Sequence, residues 1–248
     1  MLKKNPIGYL NSNMLKIIAI VLMTFDHFAV LFYPHTMWMR IPGRLAFPIF
    51  AFLIAEGFRH TRSRLRYFLM LGGLGTAFQL VYAFVMGDDM LNIFITLAIG
   101  VLLCSLLELA KVQLLSPDAA LWKKICAPLP LLCAVAVLWL LDRIVTFDYG
   151  FFGCLLPMLA SFSHVPRGMD VPWLSRVDIL PVQLLFFLCG LIPLNHVFHP
   201  VQHYALLAIP LLLMYSGERG KLRMKYFFYI YYPAHLVALE GLHLLIRG

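Results

Sequence analysis

The 248-residue chain is 62% hydrophobic and 13% charged, with a mean hydropathy of +0.84, whereas a soluble domain carries about 25% charged residues. That balance excludes a soluble globular protein, and the repeated apolar stretches suit membrane-crossing helices of roughly 20 residues better than the alternating strands of a barrel. The net charge of +8 comes from lysines and arginines in the connections between apolar runs, so membrane topology explains it and no nucleic-acid partner is expected.

Lys3, Lys4 and Lys16 precede the apolar run Ile17–Tyr33 of the first predicted helix, Leu15–Tyr33, and no small-residue cleavage motif follows, so a retained first helix is expected rather than a signal peptide. Asp26 and His27 stand side by side in this run. An ionisable group near the bilayer centre costs about 2.5–3.5 kcal/mol or more, so it is retained when buried with a partner or in a wet cavity. At a rise of about 1.5 Å per residue the pair lies about 3–5 Å beyond the midplane, in the outer half. Neighbouring side chains point about 100° apart on a helix, so each of the two needs its own partner from another helix.

The second predicted helix, Ile41–Phe58, brings Arg44 to the depth of Asp26, and Pro48 is expected to kink it and open space beside the first helix. The alternative for Arg44 is snorkelling to headgroups. At the inner end come Glu56 and then Arg59, Arg62, Arg64 and Arg66. Guanidinium forks hold phosphate oxygens in pairs, so this cluster suits a polyanion, although positive-inside charge alone also accounts for it. Glu56 is the residue that topology does not require.

The third and fourth predicted helices, Tyr67–Met86 and Ile93–Leu109, carry Gln79 in the former and Asn92 at the opening of the latter; Ile125–Leu141 is the fifth, and Asp148 precedes the sixth, Tyr149–Phe162. Asn92 and Asp148 read most simply as caps for orphan amide groups. After the irregular segment Ser163–Asp178 come Val182–Leu194, Tyr204–Tyr215 and Phe227–Ile246. The last of these carries Tyr232 three residues before His235, on roughly the same face, then Glu240 and His243. His196, His199 and His203 share one connection without a neighbouring carboxylate, and the five cysteines show no paired spacing, so no metal is expected.

Lysine and arginine fall mostly in alternate connections, at Arg59–Arg66, Lys111–Lys124, Arg167–Arg176 and Arg219–Lys225, against Arg40, Arg44, Arg143 and Arg247 on the other side. The expected fold is therefore all-α: one polytopic transmembrane helix bundle over residues 1–248, about nine spans with some short or broken, amino terminus inside and carboxyl terminus outside.

The segments LKIIAIVLMTFDH, RIPGRLAFPIFAFLIAEGFRHTRSRLRY, NIFITLAIG, DYGFFG and KYFFYIYYPAHL, in this order, resemble the TraX family, multi-pass membrane proteins named for acetylation of F-type conjugative pilin. The resemblance implies a multi-pass protein of the bacterial cytoplasmic membrane. It also implies transfer of an acetyl or other acyl group from a coenzyme A thioester to an amine or hydroxyl, in the pilin case the amino terminus of processed pilin.

On that footing Arg59, Arg62 and Arg64, with Glu56 beside them, are the residues expected at the nucleotide end of acyl-coenzyme A. His27 is expected to act as general base or to carry the acyl group itself, with Asp26 and His235 in support. Arg44, Asn92, Tyr232 and Asp148 are the residues expected near the substrate or the thioester oxyanion. The competing reading is a proton-linked transporter in which Asp26, His27, His235 and Glu240 form a polar path; a third is a non-catalytic membrane scaffold.

Overall fold

The structure is a computed structural model that describes residues 5, 8–86, 90–197, 200–221 and 225–247. Lys3, Lys4, His199 and Arg223 of the charge and histidine readings lie outside the described residues. The fold is all-α. Its helices are α1 (Ser12–Phe32), α2 (Met37–Arg40), α3 (Ala46–His60), α4 (Arg64–Met86), α5 (Ile93–Leu115), α6 (Leu121–Cys126), α7 (Leu129–Leu141), α8 (Gly150–Ala160), α9 (Pro172–Val177), α10 (Leu180–Val197), α11 (Ala208–Leu213) and α12 (Lys225–Arg247). Two 3₁₀ segments, Pro42–Leu45 and Pro200–Leu207, join α2 to α3 and precede α11.

Among the described residues, five helical stretches are long and apolar enough to cross a membrane: Ser12–Phe32, Met37–His60, Arg64–Phe84, Ile93–Leu115 and Leu121–Leu141. Gly150–Ala160, Leu180–His196 and Val201–Leu213 are shorter apolar helices. These are the three places where the apolar runs of the sequence are also shortest, and prolines sit inside all three stretches, at Pro157, Pro193 and Pro210.

The second helix differs from the continuous run expected at Ile41–Phe58. Backbone regularity breaks at Pro42–Leu45, which is 3₁₀, and α3 begins only at Ala46. Pro48 therefore stands in the first turn of α3, where its missing N–H would have had no acceptor within that helix. Pro128 likewise separates α6 from α7 within the predicted fifth helix.

The chain forms two compact units, one from residues 1–50 and 191–248 and one from residues 51–190. In the first, both ends of the sequence are stitched together: Leu10 N–H donates to the Met214 carbonyl at 2.9 Å, Ser216 N–H to the Leu10 carbonyl at 2.8 Å and Ser12 N–H to the Glu218 carbonyl at 2.8 Å. Asn11 then starts α1 as its cap, its side chain accepting from Met14 N–H at 3.0 Å. Helix α1 packs against the Pro42–Leu45 turn and α12, with Leu15, Ala19 and Ala29 fully buried.

Gly43 makes the approach of that turn possible. A β-carbon there would land on the Cβ and Cγ of Asp26. Its conformation is ordinary, so the glycine is required by space and not by backbone angle.

In the second unit α5 is the central helix, packed on α4, α7 and α8. It is apolar over most of its length, as a helix largely enclosed by neighbours is. Asn92 caps it, accepting from Phe94 N–H at 3.0 Å, while its amide donates to the Gly75 carbonyl at 2.8 Å and to Gln79 Oε1 at 3.0 Å. Gly100 lets α8 close in, since a β-carbon there would meet Pro157 Cγ at 2.6 Å. By contrast α4 and the α6–α7 pair expose most of their apolar side chains, a surface that water would not tolerate and lipid does.

Candidate functional site

The first unit places a histidine from each end of the chain in contact. His27 Nδ1 on α1 is 2.7 Å from His235 Nε2 on α12, with the two rings 15° from coplanar. His235 Nδ1 is 3.0 Å from the Tyr231 carbonyl one turn back, and the Tyr231 ring lies parallel to His235 at 5.3 Å. Tyr231 is tied down in turn by its hydroxyl, 2.9 Å from Thr24 Oγ1 on α1, whose own hydrogen goes to the Ile20 carbonyl.

This chain of contacts assigns the protons. A carbonyl can only accept, so His235 Nδ1 carries a hydrogen; with the ring neutral its Nε2 accepts, and His27 Nδ1 must donate to it. His27 Nε2 is then left with its lone pair. An imidazole held by a hydrogen bond at one nitrogen and basic at the other is the arrangement a general base requires. Tyr232, edge-on to His27 at 6.5 Å and to His235 at 5.6 Å, lines the same place.

Asp26 points to a different side of α1 and is 7% exposed. Arg44, delivered by the 3₁₀ turn against α1, pairs with its Oδ2. Arg40 adds a second guanidinium, its Nε 3.6 Å from Asp26 Oδ1. Gln202, from the Pro200–Leu207 segment and 3% exposed, accepts from Arg44 Nη1 at 3.4 Å. A carboxylate at this depth is thus paired, as burial of charge demands. Arg40 enters the sequence reading only as an outside charge, and Gln202 and Tyr231 do not enter it, because each sits in a short or irregular segment or beside a more conspicuous neighbour.

The inner arginines belong to the second unit, and the structure divides them. Arg59 forks onto Asp178, Nη1 to Oδ1 at 2.9 Å and Nη2 to Oδ2 at 2.7 Å. Arg64 pairs with Glu108. Arg62 and Arg66 are exposed. Asp178 is completed by Gln183 Nε2 at 3.1 Å and Val165 N–H at 3.4 Å, so Arg59 is a structural tie first. A cavity in this unit is lined by Arg59, Arg64, Glu108, Lys111, His164 and Arg167 among others. Lys111 is spent on the end of α8, its Nζ donating to the carbonyls of Ser161, Phe162 and His164 at 3.0, 2.6 and 3.0 Å.

Glu56, 3% exposed, stands between two imidazoles, 3.7 Å from His60 Nε2 and 3.8 Å from His164 Nε2. Burial holds the His164 imidazole below its ordinary range, and the Glu56 carboxylate opposes that shift. His164, Asp178 and Glu108 escaped the sequence reading. The first two lie in a segment that looks like a surface connection, and Glu108 reads as the polar end of an apolar run.

Asp148 does not cap α8. The cap position is Tyr149, in the left-handed region at φ 62° and without a side-chain bond to the helix, while the Asp148 carbonyl accepts from the Thr96 hydroxyl at 2.8 Å. Asn92, described above as the α5 cap, has its amide hydrogens engaged within the second unit. Glu240 and His243 lie 3.5 Å apart on α12, and His196 and His203 meet edge-on at 5.6 Å.

Comparison with known proteins places this chain in a family context. The family described as TraX protein matches residues 11–243. A relative from Dichelobacter nodosus, named probable fimbrial assembly protein FimC of serogroup H1, is 26% identical over 234 residues, covering 91% of this chain and 92% of its own length. No solved structure matches.

Proposed function

Because this chain belongs to the TraX family, we propose that it is a bacterial cytoplasmic-membrane acyltransferase that moves an acetyl or other acyl group from acyl-coenzyme A to an amine or hydroxyl. The observation that carries the reading is the 2.7 Å contact between His27 Nδ1 and His235 Nε2. It fixes the His27 ring and leaves Nε2 to take a proton from the acceptor as the acceptor attacks the thioester carbonyl. His235 and the Tyr231 carbonyl hold the ring in this tautomer and spread the charge that His27 acquires, the role a third group plays in a nucleophile–base pair.

Asp26 does not touch the base. It anchors Arg44 and Arg40 at the same level of α1. The second unit by itself offers Arg62, an exposed guanidinium that none of the pairs described above occupies, and planar guanidinium suits phosphate recognition. Arg59 and Arg64, held by Asp178 and Glu108, shape that region.

The fimbrial-assembly name of the Dichelobacter relative supports a pilin-like protein as acceptor, and the TraX resemblance points to its amino terminus. The test is mass spectrometry of the purified chain incubated with isotopically labelled acetyl-coenzyme A and a short peptide carrying a free amino terminus. Labelled acetyl-peptide is the expected product. Its absence, with flux of protons or solute in proteoliposomes lacking any acyl donor, would replace the enzyme with a carrier.

A further inference from the structure

The ion pair at Asp26 leaves a surplus of hydrogen-bond donors. Two guanidiniums, of Arg40 and Arg44, face one carboxylate, so the cluster carries one net positive charge. Within it Arg44 Nε and Gln202 Nε2 are buried and make no hydrogen bond among the described residues, whereas Arg40 Nε faces Asp26 Oδ1, the buried acceptor of the cluster, at 3.6 Å. Buried donors without acceptors are costly, and two in one cluster with uncompensated charge describe a place prepared for a negative oxygen.

The orientation of Gln202 follows from chemistry. Arg44 has only donors, so the atom of Gln202 that faces it at 3.4 Å must be the amide oxygen. The NH₂ group is therefore turned the other way, fixed and buried, with 3% of the residue exposed. It cannot rotate to satisfy itself without abandoning Arg44.

The cluster is also in the right place relative to the base. Asp26, which anchors it, is adjacent in sequence to His27, so their α-carbons are about 3.8 Å apart and their side chains leave α1 about 100° apart. The proton acceptor and the spare donors are thus held at one level of α1, on sides about 100° apart.

We propose that Gln202 Nε2 and Arg44 Nε form the oxyanion site of the acyl transfer, an inference that rests on the acyltransferase reading above. The acceptor nitrogen lone pair attacks the thioester carbonyl carbon, and the carbonyl π pair moves onto its oxygen, which the two N–H groups receive. The nitrogen proton passes to His27 Nε2. The oxyanion then re-forms the carbonyl, the carbon–sulfur bond breaks, and the departing thiolate takes the proton back from His27. The products are an amide and a thiol, and the histidine is returned neutral. A hydroxyl acceptor follows the same course to an ester. Arg40 keeps the pocket positive without needing to touch the oxygen.

The experiment compares Gln202→Glu and Gln202→Met with the parent, all as full chains in detergent, using acetyl-coenzyme A and the free-amino peptide. Gln202→Glu retains the acceptor for Arg44 and loses the donor; Gln202→Met loses both without adding charge, and stands in should the charged variant fail to fold. Loss of one such donor is expected to lower kcat by about 10²–10³-fold, with the calorimetric Kd for acetyl-coenzyme A within about twofold and the melting temperature of the Met variant near that of the parent. Variants that turn over as fast as the parent, or lose acetyl-coenzyme A binding in step with kcat, overturn the oxyanion role. A parent that transfers no acetyl group fails in a different way: it removes the acyltransferase reading itself, and the oxyanion role goes with it.

Discussion

Arg59 and Asp178 are joined by two parallel hydrogen bonds, 2.9 and 2.7 Å, in which both partners are largely withdrawn from solvent. The consequence is that the basic run Arg59–Arg66 is two things at once. Breaking a buried pair from one side leaves a stranded charge, at a cost of about 3–5 kcal/mol. Arg59→Ala should therefore fail by folding, read as a lower melting temperature in detergent. Arg62→Ala should melt as the parent does and bind acetyl-coenzyme A several-fold more weakly by calorimetry. An Arg62→Ala protein with parental affinity would return Arg62 to a purely topological role.

Gly43 is expected to be intolerant for reasons of space alone. A β-carbon at this position would meet the Asp26 Cβ and Cγ, so either α1 or the 3₁₀ turn must yield, at about 1–3 kcal/mol for overpacking. Gly43→Ala should lower the melting temperature and disturb the Arg44–Asp26 pair. Gly73→Ala is the control, since nothing lies within 4 Å of its added carbon and the substitution raises helix propensity by about 0.8–1 kcal/mol. Equal melting of the two variants would show that the close approach at Gly43 does not exist.

His164 should make stability fall on mild acidification. Its folded pKa is depressed by burial, so the unfolded chain binds the proton more readily once the pH drops below about 6.5, the unfolded value. Between that value and the lower folded pKa the slope of stability against pH is positive, hence stability is lost as pH falls. Thermal melts from pH 7 down to pH 5 should show the decline, and His164→Gln should flatten it. A variant with the parental slope would assign the proton uptake to another group.

Much of this architecture is legible in the sequence wherever depth along a helix is what matters. Counting residues brings Arg44 to Asp26 and sets His235 at the level of His27, because rise per residue is fixed in a helix. What counting cannot reach is anything that depends on a break in the helix. Arg40 and the exact reach of Arg44 depend on the 3₁₀ turn at Pro42–Leu45, and the sequence offers Pro48 as an equally good breaker. Gln202 comes from a second 3₁₀ segment, where helical periodicity says nothing about direction. Asp178 and His164 are buried although they border the least regular stretch of the chain. Loops normally carry such residues at the surface, and only their neighbours in space, Arg59 and Glu56, give them a reason to be inside.

The histidine pair also separates base from support. His235→Ala leaves His27 present but free to rotate and to adopt the other tautomer, so its transfer rate should fall, yet by less than when the base itself is removed. Parental rates for His235→Ala would mean that the 2.7 Å contact plays no part in the reaction.

The most direct measurement is acetyl transfer by His27→Ala, followed by mass spectrometry of the peptide product from labelled acetyl-coenzyme A, with melting temperature and acetyl-coenzyme A affinity recorded on the same preparation. General base catalysis is worth about 10²–10⁴-fold, so the account predicts a loss of at least that order in a protein that still folds and still binds the donor. Undiminished transfer by His27→Ala would contradict it.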